Sequence, residues 1–467
     1  MNNIPSRLSE IEIPQNEPFR NDKLGYSDYA ETLKILVDLY SESGCVLAVN
    51  GKWGSGKTTF MRMWKAYLEN LSYTTVYFSA WETDYFSDPL TAILGELQEI
   101  GGNNEKLNNV LASAGKIALG VAKNLVSSVA KNKLGIDSSI VDGVIDEGHQ
   151  QVKDCLDEYK KQKTSLSEFR DRLSKYVADH GDHPVIFIVD ELDRCNPHYA
   201  VKTLETIKHL FVVPNIIFIL AIDKTQLEYS IQGFYGSSSI DANNYLRRFI
   251  DIQYDIPSPN GDRFVDMLLE HYHYSEYFES GRKYLNGRTR DDVFKEMATL
   301  MFNGAQTDLR TWDKIFAHAR LAASQLGGSD QVVLPIAFLL CFLRVSHYEL
   351  YCKIRNKSLS VQELISATEV VLQHNLLSKQ DDYHKPDNRS LLWTFGELLY
   401  FYDYSLNADK GPIRSHKEKE PLNVQCQVMN KEVITEAVEW CNRGHSFNSS
   451  LGIEFFTTKI ELLSNFK

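Results

Sequence analysis

Gly51-Lys52-Trp53-Gly54-Ser55-Gly56-Lys57-Thr58 is the stretch that decides how this chain folds. It satisfies the pattern G-x-x-x-x-G-K-[ST], in which backbone N–H groups wrap phosphate oxygens while the lysine and the hydroxyl complete the cradle. Its surroundings agree. Upstream, Cys45-Val-Leu-Ala-Val-Asn50 is a short apolar run bounded by Gly44 and Gly51, and downstream Thr58 to Leu71 is amphipathic. Strand, loop and helix in that order aim the free N–H groups of the helix start at an anion. The spacing predicts that Gly51 to Thr59 bind ATP, with Lys57 neutralising the β- and γ-phosphates and Thr58 holding Mg2+. Trp53 has two readings, packing beneath the loop or bordering the phosphates.

Further apolar, β-branched runs recur at Thr74 to Ala80, Val185 to Asp190, Ile216 to Asp223 and Phe249 to Ile256, with helical patterns between them. Near-continuous apolar strands alternating with helices indicate a mostly parallel sheet covered on both faces. Ligands of such sheets sit beyond the carboxyl ends of the strands. Val185-Ile-Phe-Ile-Val-Asp190-Glu191 therefore delivers Asp190 to the magnesium shell and Glu191 to the attacking water. Asp223 ends another run at the same edge, where it senses the γ-phosphate or water, or else caps the helix beginning at Lys224.

The periodicity predicts a helix over Tyr26 to Leu39 with Ser27 as its N-cap. Beyond Pro257 the signals are almost all helical: Asp262 to His273, Thr289 to Phe302, Asp308 to Leu326, Val332 to Ile354, Val361 to His374, Leu391 to Tyr404 and Lys431 to Cys441. The expected organisation is an N-terminal arm (1–20), a nucleotide-binding core (21–260) with a helical insertion at about 101–165, a helical lid (261–325) and an α-helical C-terminal domain (326–467). Within the insertion, Val110, Ala114, Ile117, Val121, Leu125 and Val129 form an apolar stripe, with Ser113, Lys116, Lys123, Ser127 and Lys131 opposite. A helix over 110–131 packs on the core or a second copy, or touches a membrane surface or partner. Lys379 to Ser390 and Asn407 to Glu420 read as polar surface loops.

At 467 residues the chain is too long for one core. Its formal net charge of -12 argues against nucleic acid as the main partner, since affinity for phosphate chains grows with the cations supplied. Seven scattered cysteines, an odd number without a C-x-x-C pair, speak against a disulfide framework or zinc ribbon and for a reducing, cytoplasmic location. The first residues lack the basic start and apolar stretch of a signal peptide. The apolar run Val332 to Val345, interrupted at Arg344, falls short of the roughly 20 residues a membrane span needs. His347, His374, His384, His416 and His445 show no metal-ligand spacing.

Five stretches together resemble the KAP family of P-loop NTPases: Asn21-Asp-Lys-Leu-Gly-Tyr26, the P-loop, Phe78-Ser-Ala-Trp81-Glu82 with Asp88-Pro-Leu90, Asp190-Glu-Leu-Asp-Arg-Cys195-Asn-Pro197 and Tyr245-Leu-Arg-Arg-Phe249. The resemblance runs from about residue 20 to 325. It implies a core of the additional-strand (ASCE) type, with the catalytic carboxylate strand between the P-loop strand and its neighbour, and supports Glu191 as the water-activating residue. Relatives commonly carry transmembrane helices between the two nucleotide motifs, and here the amphipathic insertion takes that place. Some bacterial relatives exclude phage, so antiviral defence is an implied role. The resemblance also implies roles for Asp193 and Arg194 beside the catalytic strand and for Arg247, Arg248 and Arg310 near the lid. Each arginine has a plain alternative as a solvated or structural residue.

Three functions compete: an ATP-hydrolysing conformational switch, a nucleotide-gated scaffold or sensor with little turnover that recruits a separate effector, and a P-loop kinase. The Asp190-Glu191 pair favours water over a kinase acceptor. A homo-oligomer supplying an arginine in trans and a protein effector or sensor are the expected partners.

Overall fold

The computed structural model describes residues 11–85, 88–101, 105–114, 163–178, 183–211, 213–257, 259–276, 290–304, 307–325, 333–376, 388–406, 424–445 and 452–462, together with Lys160 and Phe278. It divides into two compact units, one of residues 11–22 and 26–258, the other of residues 23–25 and the chain from Pro259 onward.

The first unit is an α/β layer. Its elements in chain order are α1 (Ser27–Leu39), β1 (Cys45–Asn50), α2 (Lys57–Asn70), β2 (Thr75–Ser79), α3 (Ala80–Thr83), α4 (Pro89–Gly101), α5 (105–114), α6 (163–178), β3 (Val185–Asp190), α7 (Pro197–Thr206), β4 (Ile216–Ile222), α8 (Lys224–Tyr235), α9 (Ala242–Leu246) and β5 (Ile252–Asp255). The five strands lie in the order β2-β3-β4-β1-β5, all paired in parallel. Every residue of β3 and β4 is buried, as expected for central strands covered on both faces.

This is the additional-strand arrangement, with one correction to the expected order. The strand beside the P-loop strand is β4, and the carboxylate strand β3 lies one place further out, between β4 and β2. The seven-residue apolar run of β4 explains this, because it pairs along its length with both β1 and β3 and fills the most buried position in the sheet. The register then sets the site. Asn50 lies opposite Ile222, Asp190 opposite Ala221 and Ser79 opposite Asp190, so four strands end in step along one edge.

The first helix begins at Ser27, with Tyr26 rather than Ser27 in the N-cap position and no side-chain cap. Asp22 takes that role instead, accepting a hydrogen bond from the Ser27 N–H at 2.8 Å. Residues 11–20, read as part of an arm, lie against α2: Asn70 donates to the Gln15 carbonyl at 2.6 Å and Phe19 meets Tyr67 at 5.8 Å between ring centres. In the insertion, Leu107, Val110 and Ala114 of α5 are fully buried. So is Ser113, expected on the polar face; its hydroxyl satisfies itself on the Val110 carbonyl at 2.7 Å. The remainder of the 110–131 helix lies outside the described residues.

The second unit is helical: α10 (Gly261–His271), α11 (Arg290–Gly304), α12 (Leu309–Gln325), α13 (Val333–Ser346), α14 (Tyr348–Arg355), α15 (Val361–Leu376), α16 (Arg389–Leu406), α17 (Lys431–Trp440) and α18 (Ile453–Leu462). The helix expected over Val332 to Ile354 is two, because His347 leaves helical geometry at φ -140 and ψ 56. Trp312, wholly buried, anchors an aromatic cluster, meeting Phe342 and Phe302 each at 5.6 Å. No helix among the described residues is long and apolar enough to cross a membrane.

Candidate nucleotide site

The P-loop is built on glycines that a side chain would spoil. Gly54 and Gly56 adopt φ 73 and 88, a region costly for residues with a Cβ. A Cβ on Gly51 would lie 2.9 Å from the Ser55 hydroxyl. The loop is held from below by Tyr26, whose hydroxyl donates to the Ser55 carbonyl and whose buried ring meets Phe60 at 5.2 Å. Gly56 is the N-cap of α2 and brings no side-chain acceptor, so the N–H groups of the first turn, which carries Lys57, Thr58 and Thr59, face an anion unhindered. The Ser55 hydroxyl is buried without a hydrogen-bond partner among the described residues. An orphaned hydroxyl and uncapped N–H groups in a glycine-rich turn fit a bound phosphate chain.

Lys57 is 7% exposed and donates to the Gly51 and Lys52 carbonyls of its own loop. Burial pulls its ammonium below the ordinary lysine range, opposed by the nearby carboxylates of Asp193, Asp223 and Asp190. The surrounding negative charge keeps a cation where phosphates are expected.

Asp190, 1% exposed, ends β3 with both oxygens engaged. One accepts from the Glu191 N–H at 2.8 Å and the other from the Tyr77 hydroxyl at 2.7 Å. That hydroxyl is pushed above the ordinary tyrosine range by burial and by the Asp190 charge, which keeps it a donor. Each carboxylate oxygen retains a second lone pair. The Thr58 hydroxyl and the Asp190 carboxylate are hard oxygen donors of the kind that suit Mg2+.

Glu191 sits at φ 63, left-handed backbone that costs a non-glycine residue about 1–3 kcal/mol and gathers at functional positions. The turn lets the side chain leave the strand direction that Asp190 follows. One of its oxygens accepts from Ser79 at 3.3 Å, and the other is ion-paired to Arg194. Asp223 caps α8, one of its two readings, by accepting from the Gln226 N–H at 3.4 Å, and its other oxygen accepts from the Trp53 backbone N–H of the P-loop at 3.0 Å. The half-exposed ring of Trp53 does not pack beneath the loop. Its indole N–H donates to Asp193. Burial raises the Asp193 carboxyl, against the lowering effects of that hydrogen bond and of Lys57.

A comparison with known families matches residues 26–315 to the KAP family P-loop domain. The chain belongs to the KAP family of P-loop NTPases. Over 262 residues it is 21% identical to the Phage T7 exclusion protein of Escherichia coli (strain K12), a match covering 52% of this chain and 34% of that protein's length. Among solved structures it is similar to the Aeropyrum pernix ORC2 protein, at TM-scores of 0.33 in ADPNP-ADP complexes and 0.31 in the ADP form, with 12% identity in both cases. Those alignments cover 94% and 98% of this chain and 96% and 97% of the other.

Within this KAP chain the structure gathers Lys57, Asp190, Glu191, Asp193, Arg194 and Asp223 at one edge of the sheet. Of the four candidate arginines, Arg194 is the one that the described residues show in contact with these groups. Arg247 and Arg248 follow α9 on the surface, without a side-chain partner among the described residues, and Arg310 opens α12 in the helical unit, also exposed. The sequence patterns alone do not single out Tyr77, Ser79 and Tyr26 as site residues. All three lie in stretches that carry the family resemblance or adjoin them, and the polar residues interrupting the apolar run Val76-Tyr-Phe-Ser79 were the available signal.

Proposed function

We propose that the chain is an ATPase whose binding and hydrolysis of Mg-ATP switch its conformation, in the service of bacterial antiviral defence. The observation that carries the ATPase reading is the edge where the glycine loop, Lys57, the buried Asp190 and the strained Glu191 converge. Lys57 exchanges its loop carbonyls for phosphate oxygens. Thr58 and Asp190 hold Mg2+, which when bound offsets phosphate charge, and Glu191 orients and polarises the attacking water. Asp223 and Trp53 connect the loop to the end of β4, a route by which the phosphate state reaches α8. The defence role rests on the family and on the name of the phage exclusion relative, of which this chain spans a third in length.

We also infer that an arginine of a second copy completes the site, since arginine fingers contribute roughly 10³- to 10⁵-fold in rate where they occur. Arg194 is committed to Glu191 within its own chain, which leaves Arg247 and Arg248, exposed and without a side-chain partner among the described residues, as the donors. The test is mixing. Lys57→Ala is expected to abolish ATP binding in calorimetry, and Arg247→Ala with Arg248→Ala to abolish turnover while binding persists. Combining the two inactive proteins is expected to restore turnover. Full activity of the double arginine variant alone contradicts supply in trans; normal ATP binding by Lys57→Ala contradicts the site itself.

A further inference from the structure

The carboxylate that should receive the proton of water is already occupied at both oxygens by donors of its own chain. Ser79 donates to one, and Arg194 is ion-paired to the other. The pair is not a loose surface contact: side-chain exposures are 23% for Arg194 and 15% for Glu191, and the two residues are three apart, so the turn itself brings them together. Partial shielding from water makes such a pair stronger than the exposed kind, whose energies cluster near zero.

Arg194 is also held on its other side. Its guanidinium carbon lies 5.7 Å from the ring centre of Trp81 on α3. Trp81 is 51% exposed, an unusual place for an indole with only packing to do. The segment carrying Arg194 is stapled to the α3 region twice more: the Asn196 N–H donates to Asp84 at 3.1 Å, and the hydroxyls of Thr83 and Tyr199 meet at 3.1 Å. A displacement of α3 would therefore carry Trp81 and pull on the guanidinium.

From this geometry we propose that Arg194, clamped on Trp81, is a positioning residue that withholds Glu191 from water in the resting state, and that movement of Trp81 releases it. A carboxylate held at one oxygen by a guanidinium and at the other by a hydroxyl is turned from the water it must orient. The proposal rests on Glu191 being the water-activating residue. It makes Trp81 the surface point from which the site is governed.

The test measures steady-state ATP turnover of the full chain carrying Arg194→Ala, Arg194→Lys or Trp81→Ala, with Arg194→Ala also placed in the Glu191→Gln background. Arg194→Ala is expected to raise kcat roughly three- to ten-fold with KM nearly unchanged, the range set by loss of one partly shielded ion pair. Trp81→Ala should raise it by less, and Arg194→Lys, which keeps the charge but loses the planar guanidinium on Trp81, should fall between the parent and Arg194→Ala. With Glu191→Gln in place, Arg194→Ala should change nothing, because its effect acts through that carboxylate. A lowered kcat in Arg194→Ala together with a lowered kcat in Trp81→Ala, or a rise that survives Glu191→Gln, overturns the proposal. Parent-level turnover in Glu191→Gln alone would instead overturn the catalytic reading beneath it.

Discussion

The end of the sheet and the interior of the helical unit hold their buried charged side chains in different ways. In the helical unit two buried charged groups are tied to backbone: one Glu369 oxygen accepts three successive N–H groups, from Gln427, Val428 and Met429 at 2.7–2.9 Å, and Arg320 donates to the Tyr272 carbonyl at 3.1 Å. At the sheet edge the polar groups hold one another provisionally. Lys57 rests on carbonyls of its own loop, Glu191 on Arg194 and Ser79, and the Ser55 hydroxyl on no partner among the described residues. Contacts of the first kind specify a structure, while those of the second can be exchanged for a ligand.

That contrast can be broken at several points. The largest effect belongs to the packed side. Trp312→Ala should destabilise the protein by about 3–5 kcal/mol, the usual cost of emptying a large aromatic site, as read by denaturant unfolding. ATP affinity of the folded protein should hardly change. Trp312→Phe sharpens the point, since the indole N–H is buried without a partner among the described residues and its removal offsets part of the lost packing. A large loss of ATP affinity in folded Trp312→Ala would blur the division between the two regions.

On the exchangeable side, Trp53→Phe leaves the buried Asp193 carboxylate without its indole donor and the P-loop without that tie. The expected loss is about 1–2 kcal/mol in ATP binding, roughly tenfold in Kd by calorimetry, with fold stability little altered. Unchanged affinity would make the contact ornamental.

The smallest effect concerns Asp193 itself. Burial raises its folded-state pKa above the unfolded value, so its favourable contribution is present at acid pH and is lost as pH rises through the folded value. At neutral pH the protein carries the penalty of a buried charge. Asp193→Asn, which can still accept from Trp53, should therefore raise the Tm slightly at neutral pH, with the advantage over the parent shrinking as pH falls through the carboxylate range. A gain that grows on acidification has the wrong sign for this account.

The sequence revealed most where chemistry is local. The P-loop, the all-buried run of β3 and the pairing of a carboxylate with its end were legible because glycines, β-branched runs and a strand terminus leave marks within a few residues. The order of β3 and β4 was not, since several parallel orders satisfy the same apolar pattern and only register separates them. Tyr77 on Asp190, Ser79 on Glu191 and Trp53 on Asp193 join residues more than a hundred positions apart. No spacing rule reaches that far. In the helical unit, α18 escaped because Gly452-Ile-Glu-Phe-Phe is short and weakly periodic, and the break at His347 lies inside a stretch whose composition favours helix throughout.

The most direct measurement is single-turnover phosphate release from pre-bound Mg-ATP, comparing the parent chain with Glu191→Gln. Both should bind nucleotide with similar affinity, while the variant should release phosphate roughly 10²- to 10⁴-fold more slowly, the range typical of losing a positioned general base. Equal rates of phosphate release from the two proteins would contradict the assignment of Glu191, and with it the claim that this edge of the sheet hydrolyses ATP through that carboxylate.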